Sequence, residues 1–186
     1  MATIWLGQDY LIKRSVVDSN VEYDKLVPVI NLVQRKYVKR TLGTDLYNAL
    51  DTHILAFINS ATAIPAAYKY LLDEFINEMI VYYTLMESSP TFKYRYTNRG
   101  LVSKEGDGTS TISTSDLDFM MGIMKSNAEM FQFELIKYIQ VNATSYPEYG
   151  TNITNGIYPE NESYDTDVFL GDFKYKYTND AGDFRK

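Results

Sequence analysis

The sequence predicts a mainly α protein: a helical bundle of about four helices with a small β-hairpin and an extended C-terminal arm. Three observations predict it. Apolar residues recur at spacings of three and four through four separate stretches, the spacing drops to two after Phe92, and helical periodicity is lost beyond Tyr146. With 186 residues, 45% of them hydrophobic, the chain can bury a core of its own. The expected division is a helical domain over 1–145 and an aromatic-rich arm over 146–186.

The first helix lies between Leu26 and Leu42, where Leu26, Val29, Ile30, Val33, Tyr37 and Val38 share one side. Ser19 and Glu22 have the spacing of a capping box, and Pro28 must then be a first-turn residue or a kink. Gly43 can take the left-handed conformation that ends a helix, after which Thr44 or Asp45 can cap a second one carrying Leu46, Leu50, Ile54 and Phe57. Two helices thus meet at a sharp corner. Residues 59–64 are a polar break, and Pro65 suits the first position of a third helix. That helix buries Tyr68, Leu71, Leu72, Phe75, Ile76, Met79, Ile80, Tyr83 and Met86, with Asp73, Glu74, Asn77 and Glu78 on the wet side. Its length makes it central.

Phe92, Tyr94 and Tyr96 then alternate with Lys93, Arg95 and Thr97 before a turn signal at Asn98-Arg99-Gly100. This predicts the hairpin. Residues 103–114, rich in Gly, Ser and Thr, read as a mobile loop or a segment ordered by a partner. From Ser115 the longest helix begins, with Leu117, Met121, Met124, Ala128, Phe131, Leu135 and Tyr138 in alternating steps of four and three. Such a seam packs on another helix, within the subunit or between subunits. After Tyr146-Pro147-Glu148-Tyr149-Gly150, aromatic islands continue to Phe184. Disordered segments are poor in aromatics, so the arm is expected to lie along its own core or a neighbour.

The composition points away from several kinds of chemistry. There is no Cys, and His53 is the only histidine, so catalysis by paired imidazoles and multi-histidine metal sites are excluded. A di-iron helix needs Glu-x-x-His, but Leu50 stands three residues before His53. A calcium loop opening at Asp107 would have Ile112 where glycine is required and Asp118 at its twelfth position. No phosphate loop, nucleophile elbow or dinucleotide fingerprint occurs, and no catalytic residue, cofactor or metal is expected. The net charge of −6 disfavours a protein that grips nucleic acid, and Arg35, Lys36, Lys39 and Arg40, with Lys93, Arg95, Arg99 and Lys104 further on, read as solvated faces. No run reaches the roughly 20 apolar residues of a membrane span and no basic leader opens the chain, so the expectation is a soluble, unexported protein with no membrane partner. The sequons at Asn142, Asn152 and Asn161 are then chance.

Several short motifs carry a resemblance. They are Tyr10-Leu11-Ile12-Lys13, Asn20-Val21, Val27-Pro28-Val29-Ile30 with Gln34 and Tyr37, and the corner Leu42-Gly43-Thr44-Asp45-Leu46-Tyr47. The third helix, Thr97-Asn98-Arg99-Gly100-Leu101-Val102, the long helix with Ala128 inside it, and Tyr146-Pro147-Glu148-Tyr149 complete the set. In order and spacing, over roughly residues 4–150, the chain resembles the head-to-tail connector (adaptor) proteins of tailed bacteriophages, in the form found in phages of Bacteroides-type hosts, crAss-like ones included. The resemblance implies a virion protein made in the bacterial host cytoplasm. It would be one subunit of a neck ring, typically twelvefold, docked on the portal, meeting the next neck or tail ring protein, and passing DNA through its lumen without specific binding. Its functional residues would be interface residues. Aromatic anchors dominate such surfaces, which singles out Tyr94, Tyr96, Arg99, Tyr146, Tyr149, Tyr158, Phe169, Phe173, Tyr175 and Tyr177. The competing reading is a monomeric helical binding or regulatory protein whose arm braces its own core. A helical nucleic-acid binder using the Arg35–Arg40 patch is a third, opposed by the charge.

Overall fold

A computed structural model describes residues 3–15, 23–97, 100–103, 113–151 and 153–160. The protein is mainly helical, and four long rods make its body. The first is α2 (Tyr23–Val33), a π-helical turn (Gln34–Val38) and the opening of α3 (Lys39–Ser60), continuous to Leu42. Leu26, Ile30, Val33, Val38 and Leu42 point into the core as their spacing predicts. Pro28 lies inside α2, past its first turn, and the Ser19–Glu22 pair falls outside the described residues. The extra residue of a π turn widens the backbone. Here it accompanies Gln34, fully buried, whose amide donates to the Thr3 carbonyl and accepts from the Trp5 N–H.

Gly43, with φ 76° and ψ 168°, breaks α3 into a corner. That backbone favours glycine, since a side chain is strained at positive φ. Beyond it, Leu46, Leu50 and Ile54 are buried, but Phe57 is 54% exposed although it continues the same stripe. The last turn overhangs a cleft instead of a neighbouring helix, so the expected core position is a surface one.

The third rod is α4 (Ala66–Leu71), a π turn (Leu72–Ile76) and α5 (Asn77–Lys93). Pro65 stands at its N-cap, one place earlier than expected. Met79, Ile80, Val81, Tyr83, Thr84 and Leu85 are all buried, because α2 and α6 pack against this rod from different sides. Asn77 and Glu78 are not on a wet face. The π turn adds a residue and rotates everything after it. Glu78 is thereby covered by α1 (Gln8–Arg14), accepting from the Tyr10 hydroxyl at 3.1 Å and pairing with Arg14 at 3.5 Å.

After α5 the backbones of β1 (Tyr94–Thr97) and β2 (Gly100–Ser103) run antiparallel, with Tyr94 opposite Ser103. This two-stranded ladder adds no layer to the helical core. The fourth rod, α6 (Thr114–Val141), starts at Ser113, whose hydroxyl accepts the Asp116 N–H at 3.1 Å. Its second half is buried through Ala128, Gln132, Leu135, Ile136 and Ile139; no residue of 114–127 is. A polar pair crosses the core here: Tyr83 donates to Gln132 Oε1 at 2.6 Å, and Tyr37 stacks flat on Tyr83 with 3.7 Å between centroids. Burial raises the Tyr83 hydroxyl pKa, as expected for a group that must stay neutral inside.

Candidate functional site

Residues 151 and 153–160 form a strap across the Gly43 corner. The Thr44 N–H donates to the Ile157 carbonyl at 2.9 Å, the Ile157 N–H to Thr44 Oγ1 at 2.7 Å, and the Glu160 N–H to the Arg40 carbonyl at 2.9 Å. Arg40 and Glu160 also form an ion pair. Asp45 does not cap its own helix. Its carboxylate accepts from the Thr154 and Thr151 hydroxyls and the Ile153 N–H, and these bonds hold its pKa below the ordinary carboxylate value. The fit is close: a Cβ on Gly43 would come within 2.8 Å of Pro159 Cδ, and one on Gly156 would overlap the Thr44 side chain.

On the other side of the same helix, the N-terminal segment is fastened by Trp5. Its ring stacks on Tyr47 at 4.6 Å and its Nε1 donates to Asp51 at 2.9 Å. The segment forms one wall of a cleft of about 510 Å³ lined by Ile4, Trp5, Ile54, Phe57, Ile58, Ala63, Ile64 and Leu72, with Lys69, Asp73 and Asn77 at its polar side. Lys69 pairs with Asp73 across one helical turn. The Oδ1 atom of Asn77 is buried with no hydrogen-bond partner among the described residues.

A second exposed apolar surface runs along α6. At about 100° per residue, Phe119, Ile123 and Met130 fall within a narrow arc opposite Ala128 and Leu135, and they are 69%, 42% and 42% exposed. Phe133 lies at the edge of this arc with Lys137 over its ring, while the i,i+4 pair Lys125–Glu129 lies outside it, Lys125 toward the Ala128 side. A helix apolar on two opposed sides is unusual for a surface helix, which ordinarily carries one apolar stripe.

The aromatic residues singled out by sequence are dispersed. Tyr146 is a core residue, 1% exposed, its hydroxyl donating to the Ala67 carbonyl at 3.1 Å and its ring edge-on to Tyr68. It therefore offers no surface to a partner, and the packed body runs past the change of composition at 146. Tyr149 packs partly buried against the core and Tyr158 is 62% exposed. Tyr94 and Tyr96 belong to β1 by their backbone alone, while Arg99, Phe169, Phe173, Tyr175 and Tyr177 lie outside the described residues. Sequence reasoning missed the Phe119–Ile123–Met130 stripe, whose four- and seven-residue spacings were legible, and the cleft, which depends on an overhang no local pattern encodes.

His53 tilts against Tyr68, whose hydroxyl donates to Glu148, and burial followed by that carboxylate pushes the Tyr68 pKa up to about 12. In the basic patch, Lys36 is held by Glu87 at 2.6 Å, Arg40 by Glu160, and Lys39 lies over Tyr47. Among the described residues no group of three or more His, Cys, Asp or Glu could hold a metal ion, and no helix is long and apolar enough to cross a membrane.

These features define a small helical protein whose N-terminal segment and 153–160 strap are fastened to one bent helix and which carries two apolar surfaces, the cleft and the α6 stripe, among its exposed residues. The chain belongs to a protein family described as "Family of unknown function (DUF6712)", matched over residues 38–158. The matched stretch begins just before the corner and ends within the strap that closes it. No curated protein and no solved structure matches the chain.

Proposed function

We propose that this protein is a structural subunit of the head-to-tail connector ring of a tailed bacteriophage, docking on the portal and forming part of the channel through which DNA passes. The observation that carries the reading is the pair of separate apolar surfaces, one concave and one convex, on a single small helical body. A closed ring of more than two copies needs two different surfaces on each subunit, whereas a twofold dimer needs only one. Further support comes from the corner motif on which the resemblance rests: Thr44 and Asp45 hold backbone and side chains of the strap, which is an architectural role. The role proposed is assembly and not catalysis, with Tyr158 and the β1–β2 hairpin as further contact points toward portal or tail.

The test is co-expression with the portal protein of the same genome, followed by light scattering and negative-stain averaging. A ring on the portal's narrow end is expected. Failure to bind the portal, or to form a ring on it, rejects the reading. The cleft itself favours the second reading, a monomeric binding module that holds a partner segment there, for which the same experiment returns a monomer.

A further inference from the structure

We infer that the acidic and apolar stretch of residues 162–173 from one copy seats in a groove between α1, α5 and α6 of the next copy. The inference rests on the ring reading and names its lateral contact. The groove, of about 480 Å³, lies beside the outer stripe and shares Ile123 with it. Tyr82, Leu85, Met120 and Met124 make its apolar wall, and Lys13 and Arg14, both exposed, stand at its rim.

Charge says what kind of segment fits there. Among the described residues no carboxylate lines the groove, and Arg14 meets Glu78 at 3.5 Å while 61% of its side chain stays exposed. Residues 161–173 hold the carboxylates Glu162, Asp165, Asp167 and Asp172, with no Lys or Arg among them, around the apolar run Val168-Phe169-Leu170 and Phe173. Segment and groove are thus complementary in charge, which steers encounter and fixes register. They match in apolar chemistry too, since interface cores are rich in aromatic residues and methionine, and here one side supplies each.

Position says which copy supplies the segment. At about 100° per residue, Glu78, Tyr82 and Leu85 lie on one side of α5, and Tyr83 and Glu87 lie on the opposite one. The groove opens on the first side. The last described residue, Glu160, is held on the second: Arg40 pairs with it, its charge reaches the Tyr83 hydroxyl, and Glu87 holds the neighbouring Lys36. Residues 161–167 extend at most about 25 Å, enough to cross to an adjacent copy, whereas on their own copy they would have to pass round the whole α5–α6 layer. A contact that joins two different sides is heterologous, and it propagates until it closes into a ring.

The chain has no cysteine, so introduced ones report the contact directly. Three variants of the full chain are made: Leu170→Cys in the segment, Met120→Cys in the groove, and Val141→Cys, 84% exposed and outside the groove, as the control. Circular dichroism checks that each is folded. Under mild oxidation, free and assembled with the portal, the Leu170 and Met120 variants are expected to form a mixed disulfide roughly tenfold faster than the Leu170 and Val141 variants do, because binding raises the local concentration of the thiols. Adding Lys13→Glu to the groove partner is expected to slow the reaction, and adding Asp167→Lys to the segment partner to restore it. A chain carrying both Leu170→Cys and Met120→Cys is expected to give a ladder of linked copies. Rates equal to the control in both settings overturn the inference, and so does a doubly substituted chain that links only within itself. Imaging on the portal keeps the two readings apart: a ring without the preferred disulfide rejects this contact alone, and a preferred disulfide without a ring keeps the contact and rejects the ring.

Discussion

The two sides of α6 are both apolar, yet one is the heart of the molecule and the other faces outward. On the inner side Ala128, Leu135 and Ile139 are fully buried; on the outer side Phe119, the largest apolar residue of the helix's first half, is 69% exposed. The difference is not hydrophobicity. What separates them is a partner: the inner side has the central rod across from it, and the described residues leave the outer one exposed. Burial belongs to a pair of surfaces, so a sequence stripe says that a contact exists without saying with which chain.

That contrast can be broken most strongly from the inside. Leu135→Ala should destabilise the fold by about 2–5 kcal/mol through the cavity it leaves, lowering the melting temperature by roughly 2–4 °C per kcal/mol, whereas Ile123→Asp should leave it within about 0.5 kcal/mol. Comparable melting temperatures for the two variants would show that the sides are not distinct in this way. Next in size, Tyr83→Phe strands the buried Gln132 Oε1 and should cost about 1–3 kcal/mol in chemical denaturation. Gly43→Ala places a methyl group against Pro159 at a strained φ, for a loss of about 1–3 kcal/mol. Hydrogen exchange should then quicken at Thr44 and Ile157 before it does so in α5.

A smaller effect is expected from acid. The folded pKa of Asp45 is depressed by Thr154, Thr151 and Ile153, so its contribution is complete above the ordinary value of 3.8 and is lost as pH falls through the lower, folded one. The Thr44 and Ile157 amide resonances should therefore hold constant from neutral pH down to that region and shift below it; a shift near neutrality would contradict the assignment. The least effect belongs to the exposed pair Lys125–Glu129, where Lys125→Ala should change stability by about 0.3–0.5 kcal/mol in thermal unfolding, screened by salt.

Much of this arrangement was legible. Gly43 announced its corner, although with ψ at 168° it takes an extended positive-φ conformation open to glycine instead of the left-handed helical one expected, and the apolar spacing of Leu26 through Ile54 placed those side chains correctly. Two things were not. The π turns at Gln34–Val38 and Leu72–Ile76 leave no residue signature, so the phase of Asn77 and Glu78 came out on the wrong side. The strap was equally silent about its destination, because the Ile157 and Glu160 backbone groups that reach Thr44 and Arg40 are ones every residue possesses, and the Arg40–Glu160 ion pair joins positions far apart in sequence. Tyr146 was misread for a related reason: an aromatic beside Pro147 resembles a surface anchor until the fold shows Tyr68 and Tyr138 closing over it.

The strap also sets a clock. Thr44 and Ile157 are 113 residues apart, so a ribosome adding about 5–20 residues per second has the corner in the open for roughly 6–23 s before its cover is made. The helices can pack meanwhile, but the bent helix stays unsealed until nearly the whole matched stretch has been synthesised. Synthesis of the strap is thus the event that seals the corner.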